Sequence, residues 1–359
     1  MRDSVSRKRD SAGAVARRFL SVGGRVVLCV VLLGLLVRRL DLQEFGRILA
    51  GAASQWPWWL AGLAFTFMGL FAGAWRWREI LTAQGIRLSF GQVFCIFFIG
   101  QFFNAFMLGA CGGDVARAYY VARRASGRRA EAASTVLVDR AIGLWVTIAF
   151  GCAMIARHRA LFTEYAANRW PALLMWILLA GSAAAAWLLF RRNLAEHPWL
   201  AARLKPESRV GRLVRRVYAA FFLYRGRPLL MVGAAGLSLV NIVGLTLACW
   251  SFARSLGVDN PLSVFFALFP VITVIAAVPL TPGSLGVREG LFVTLFSSVQ
   301  VGDETAMSLS LLVYAGSLVW SLFGGAIFMG YAASEGRGFR EELEAIQHEG
   351  VPGVEGGPP

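Results

Sequence analysis

Pro279-Leu280-Thr281-Pro282-Gly283-Ser284-Leu285-Gly286-Val287-Arg288-Glu289 interrupts an apolar run that extends over 262–299. Pro279 and Pro282 are expected to stop a helix arriving from the N-terminal side, Gly283 and Gly286 permit a tight backbone turn, and Ser284 can cap the helix that follows. If that turn lies inside a bilayer, the next helix starts there, with its free N–H groups and the positive end of its dipole aimed into the membrane. Such an end is an anion site, and Arg288 in the first turns adds a fork suited to phosphate. An ordinary loop between two complete helices is the competing reading.

The surroundings of this stretch are those of a membrane protein. The 359 residues are 57% hydrophobic and 16% charged, where soluble domains carry roughly 25% charge. A water-soluble domain is thereby excluded. Apolar segments at 19–37, 56–75, 90–110, 132–155, 171–190, 228–252, 262–280, 285–299 and 305–331 approach the length of about 20 residues that a spanning helix needs. The formal net charge is +15, but the basic residues sit in the polar stretches between these segments. They are an orientation signal and predict no nucleic-acid partner. The five cysteines and three histidines lack metal-ligand spacing, and neither a Walker nor a dinucleotide fingerprint is present, so no metal and no cofactor are expected.

Charge placement sorts the segments. Residues 1–18 form a basic N-terminus, and 19–37, closed by Arg38 and Arg39, reads as an uncleaved first span that starts from the cytoplasm. If 90–110 crossed fully, Arg117, Arg123, Arg124, Arg128 and Arg129, together with the strongly basic stretch 191–227, would lie outside, against the positive-inside tendency. If 90–120 instead dips in and returns, and 262–299 does the same from the other face, the basic residues gather inside. The expected fold is therefore an all-α integral membrane protein with about six full transmembrane helices and two oppositely oriented re-entrant helical hairpins, inverted-repeat-like. The membrane domain covers 19–331, with 191–227 as a basic cytoplasmic loop. The composition of 332–359 predicts a disordered cytoplasmic tail with a short helix around 340–347.

Three carboxylates fall inside or against apolar segments, each beside an arginine: Asp114 near Arg117, Asp139 beside Arg140, and Glu289 beside Arg288. Placing a charge at the centre of a span costs on the order of 3 kcal/mol even on the insertion scale. These groups must pair, face water or bind something. Internal ion pairs that pin helices together are one reading. The other is a central polar cavity in which Arg117, Arg140 and Arg288, with the turn residues Gly283, Ser284 and Gly286, receive a phosphate headgroup. Asp114, Asp139 and Glu289 then support the arginines or carry a proton. Adjacent helical residues point about 100° apart, so Asp139 and Arg140 take different partners.

Trp75-Arg76-Trp77 at the end of the second segment, Gly112-Gly113-Asp114-Val115-Ala116-Arg117, Asp139-Arg140 and the 279–289 stretch together resemble the lysylphosphatidylglycerol synthase transmembrane, or flippase-like, family. The resemblance covers about 22–333, and the last motif is its most specific element. It implies movement of an anionic phospholipid or lipid-linked phosphate between leaflets of a bacterial inner (cytoplasmic) membrane, in a cell-envelope pathway, while the charge placement puts both termini in the cytoplasm. The bifunctional members carry an aminoacyl-transferase domain after the membrane part. Here a short polar tail follows, so the lipid would be modified by a separate enzyme. Ser284 stands where the family pattern often has glycine.

Two other function classes compete with a translocase. An intramembrane enzyme acting on a lipid phosphate would want clustered carboxylates for metal or a cavity histidine, and no such catalytic constellation is seen. An accessory scaffold of envelope lipid or glycan biosynthesis would work through its basic face, Arg212, Arg215 and Arg216, and needs no cavity. Without a nucleotide site, translocation is downhill or ion-driven.

Overall fold

The computed structural model describes residues 51, 54–106, 112–125, 127–191, 226–278, 284 and 286–334. The basic N-terminus, the expected first span at 19–37, nearly all of the 191–227 loop and the tail beyond 334 lie outside the described residues, as does Gly283.

Among the described residues every regular element is helical. The order is α1 (Trp56–Ala83), α2 (Phe90–Phe106), α3 (Gly112–Arg124), α4 (Arg129–Arg157), α5 (Arg159–Thr163), α6 (Ala166–Arg191), α7 (Pro228–Ser255), α8 (Leu262–Ala276), α9 (Val287–Phe296) and α10 (Asp303–Ser334). Four of these, α1, α4, α7 and α10, are long and apolar enough to cross a membrane. α6 has 26 residues, a spanning length at about 1.5 Å per residue.

Helix lengths repeat. α1 to α4 have 28, 17, 13 and 29 residues, and α7 to α10 have 28, 15, 10 and 32. α1 and α7 even stop in the same way. Gly85 and Gly257 take left-handed φ values of 76° and 75° just past the last turn. Ile86 N–H then reaches the Leu81 carbonyl and Val258 N–H the Ala253 carbonyl, both at 3.0 Å, while the glycine N–H groups reach Thr82 and Arg254. Both ends are Schellman caps, which satisfy carbonyls that a helix C-terminus leaves open.

The two sets run in opposite directions. α1 and α7 form the most extensive helix pair and lie antiparallel, since Trp58 meets Trp250 while the Arg227 guanidinium reaches the Ala83 carbonyl at 2.7 Å. Their surfaces come close where Gly69 faces Gly244, and Asn241 donates to the Gly69 carbonyl at 2.6 Å. Small residues that let backbones approach are a usual device of membrane helices, where dispersion contacts rather than water exclusion hold the pair.

Each set contains an antiparallel pair of short helices. In the first, Asn104 of α2 accepts the Gly113 N–H of α3 at 3.1 Å, and Gly100 meets the stem of Arg117. In the second, Phe269 of α8 meets Phe292 of α9 edge-on and Phe265 lies tilted against Phe296. The pairs are partly exchanged between sets: α2 packs on α10 and α8 on α4, while α3 keeps to α4 and α9 to α10. Each therefore has its own apolar cluster, around Phe98, Phe103, Tyr119 and Phe328 for the first and around Phe265, Phe269, Phe292 and Phe296 for the second.

α1 extends two turns past the end at 75 expected from hydropathy. Arg76 and Trp77 are buried within it, past the end of the apolar segment.

Candidate functional site

Asp139 lies on α4 and is 1% exposed. Its Oδ1 accepts from Arg76 Nε of α1 at 2.7 Å, and its Oδ2 accepts from Arg117 Nη2 of α3 at 2.9 Å. One carboxylate therefore ties the long helix α1 to the short pair. Arg76 also donates through Nη1 to Ser238 of α7 at 2.9 Å. Room for it comes from Gly143, one turn beyond Asp139, where a Cβ would fall 2.8 Å from Arg76 Nη1.

Arg117 is held on its flat faces as well. Its guanidinium carbon sits 4.2 Å from the Trp77 ring centre and 4.7 Å from that of Phe97, favourable cation–π placements. Trp77 is fixed in turn by its indole N–H, which donates to Thr135 at 3.0 Å. Arg140, turned away from Asp139, pairs through Nε with Asp114 Oδ2 at 2.5 Å, and Arg117 Nη1 lies 3.9 Å from the other oxygen of Asp114. Two buried polar atoms, Arg117 Nε and Asp114 Oδ1, have no hydrogen-bond partner among the described residues.

Three guanidinium groups (Arg76, Arg117, Arg140) thus face two carboxylates (Asp114, Asp139), which leaves one formal positive charge. Burial is uneven: the side chains of Arg76, Arg117 and Asp139 are 9%, 7% and 2% exposed, Asp114 14%, and Arg140 46%. The interior members are locked, and Arg140 is the member that reaches outward.

Arg288 and Glu289 form a second arrangement that shares no residue with the first. Glu289 is fully buried, and its Oε2 accepts the Gly286 N–H at 2.6 Å, so the N-terminus of α9 is closed by the chain's own carboxylate. Its Oε1 accepts from Arg288 Nη2 at 2.5 Å and from Ser310 of α10 at 3.2 Å. Arg288 donates through Nε to Ser310 at 3.0 Å and lies over Tyr314, 4.7 Å from its ring centre. The three arginines of the sequence reading fall into two groups rather than one, with Arg117 and Arg140 sharing Asp114.

Ser284 does not cap α9. Gly286 holds the N-cap position with φ of 83°, and Ser284, at φ of 56°, turns its hydroxyl back to donate to the Ala276 carbonyl at 2.5 Å. That carbonyl belongs to the last turn of α8, where helix geometry supplies no partner. A left-handed serine costs about 1–2 kcal/mol, which the returned hydrogen bond offsets. Ser284→Gly should therefore change stability by less than about 1 kcal/mol. Ser284→Val combines a β-branched side chain at positive φ with a lost hydrogen bond, and should lower stability by about 2–3 kcal/mol. Thermal unfolding in detergent distinguishes the two.

Arg76 is the site member that sequence reasoning placed elsewhere. It stood in the Trp75-Arg76-Trp77 motif, but at the end of the apolar run nothing marked it as buried, and in the structure Trp77 packs against Arg117 instead. Ser238 and Ser310 gave no signal either, since serines in spans commonly satisfy themselves, as Ser238 does by donating to Ala234 at 2.8 Å.

Long apolar helices, two partly exchanged pairs of short helices and charged groups paired in the interior define a polytopic helical membrane protein. Within that class, the chain belongs to the family described as the lysylphosphatidylglycerol synthase TM region, whose sequence model matches residues 21–324. It is also similar to a UPF0104 membrane protein of Methanothermobacter thermautotrophicus, 26% identical over 305 residues, a match that covers 75% of this chain and 82% of that protein. Membership is consistent with a membrane lipid-related role.

Proposed function

We propose that the protein translocates an anionic phospholipid or a lipid-linked phosphate between leaflets. The observation that carries this reading is Arg140: a cation 46% exposed, about 16 Å along a 29-residue spanning helix, in a group with one positive charge in excess. In hydrocarbon that excess is costly unless an anion meets it. A phosphate headgroup supplies the charge and several acceptors for arginine forks, while its acyl chains remain among the lipids. Arg140 and Arg117 contact the phosphate, Asp114 and Asp139 hold them in place, and Arg288 with Glu289, Ser284 and Gly286 shapes the second short pair.

In this reading the short pairs are re-entrant, one from each face, and six helices span, the first of them at 19–37. The end of the bundle with Arg78, Arg87, Arg123, Arg128, Arg129 and Arg227, beside Glu79 and Glu131, faces the cytoplasm. At the other end Arg157, Arg159, Arg169 and Arg254 are matched by Glu164, Asp259, Asp303 and Glu304. The membrane is the inner one, both termini are cytoplasmic, and the partner is an anionic lipid made or modified by a separate enzyme.

Leaflet exchange of fluorescent phosphatidylglycerol, phosphatidate and phosphatidylcholine in liposomes tests the reading. A hydrogen bond to a charged group is worth about 1.5–3 kcal/mol, so Arg140→Gln should slow exchange of the anionic lipids by about ten- to hundredfold with the folded yield unchanged. Equal rates for wild type and variant would remove Arg140 from the pathway. Absence of exchange for every lipid, with a proton gradient also imposed, would end the translocase reading.

A further inference from the structure

A second polar feature lies apart from both charge arrangements, at the basic end of the bundle. A groove of about 320 Å³ opens between the start of α2, the last turn of α3 and the end of α10, lined by Ser89, Gln92, Cys95, Ile99, Arg124 and Tyr331, with Gly91 and Ile96. Its volume is at the lower end of ligand pockets, about 300–1,000 Å³. Ile96 and Ile99 are 2% and 0% exposed and make an apolar floor. The rim is polar, and among the described residues no carboxylate lines it.

Arg124 is the cation of this groove. It donates through Nε and Nη2 to the Tyr331 hydroxyl at 3.2 and 2.8 Å, a neutral partner that fixes the guanidinium and leaves its charge intact. Tyr331 is itself braced edge-on against Tyr120, ring centres 5.3 Å apart. Among the described residues no carboxylate pairs with Arg124. The Ser89 N–H donates to Gln92 Oε1 at 3.0 Å and the Gln92 N–H to Ser89 Oγ at 3.3 Å, a reciprocal pair that fixes both side chains on the rim beside the arginine. A Cβ at Gly91 would meet nothing within 4 Å, which leaves that side of the groove open.

We infer that this groove is a second binding site, for a phosphate group carried on an apolar stem, with Arg124 as its anchoring cation. A preorganised guanidinium suits the phosphate oxygens, and the isoleucine floor suits the hydrocarbon that follows them. Its role as the station where a headgroup waits before it reaches Arg140 rests on the translocase reading. The binding itself does not.

The test uses the full chain purified in a neutral detergent, with dihexanoyl phosphatidate as probe. The rate at which a water-soluble maleimide modifies Cys95, a partly exposed thiol in the groove, is read by peptide mass spectrometry. Phosphatidate should protect Cys95. Arg124→Gln should raise the half-protecting concentration at least about tenfold, the loss expected for one charged hydrogen-bonding partner. Gly91→Phe, which fills the groove from an open position, should abolish protection. Arg140→Gln should leave protection unchanged, so that loss of exchange with intact protection separates the two sites. No protection in the wild type, or equal protection in Arg124→Gln and Gly91→Phe, overturns the site. Protection by inorganic phosphate at the same concentration overturns the apolar stem. If the wild type exchanges no lipid yet Cys95 is protected, the translocase reading fails and this site stands.

Discussion

Asp139→Asn should destabilise the protein by about 3–5 kcal/mol, the usual result of removing one partner from a buried ion pair. The carboxylate is 2% exposed and serves Arg76 and Arg117 at once, so its neutralisation raises the formal charge of the group from one to two with no water to screen it. Thermal unfolding in detergent should show a large drop, or the variant should be recovered in low yield. Arg76→Met combined with Asp139→Asn returns the formal charge to one. The double variant should regain at least half of the lost stability, because replacing both partners of a buried pair by uncharged groups is far milder than breaking it. A single variant as stable as wild type would show that water, not burial, surrounds Asp139.

Gly113→Ala should come second in size. The new methyl would lie 2.1 Å from the Gly100 carbonyl oxygen and 2.4 Å from the Asn104 side chain, and backbone cannot yield as a flexible side chain does. The pair α2 and α3 must separate, breaking the hydrogen bond from Gly113 to Asn104 and drawing Arg117 away from Asp139. Overpacking costs about 1–3 kcal/mol before the lost contacts are added. Gly290→Ala in α9 is the control, since nothing lies within 4 Å of its Cβ position and the exchange should stabilise the helix by about 0.5–1 kcal/mol. Lower stability in the first variant with a gain in the second tests close approach rather than helix propensity.

Most of the architecture was legible from apolar runs and punctuation. The run at 132–155 marks α4 to within a few residues of Arg129–Arg157, and the interruption that begins at Pro279 falls between the end of α8 at Ala276 and the start of α9 at Val287. α1 was cut short because Arg76, Arg78 and Glu79 interrupt its hydropathy, although Gly85 gives the true stop. Charged residues in the interior were found because they are rare there and expensive. Their partners were harder. Asp139 and Arg140 were expected to diverge by helix geometry, but which arginine Asp139 would meet depended on the approach of α1 to α4, and that in turn rests on Gly143, a residue with no polar signature. Ser284 shows a different limit: its residue type suits a cap, and only the sign of its φ reveals that the hydroxyl turns back to α8.

The fork at Asp139 also bears on the order in which the chain is made. Arg76 on α1 and Arg117 on α3 precede Asp139 on α4, and so does Asp114, the partner of Arg140. Every charge of the group is therefore present once α4 has left the ribosome, and the later helix α7 adds only the hydroxyl of Ser238. For a protein threaded into a bilayer from its N-terminus, the first four described helices settle the ions of this group among themselves. These charges need not wait for the second half of the chain to be synthesised.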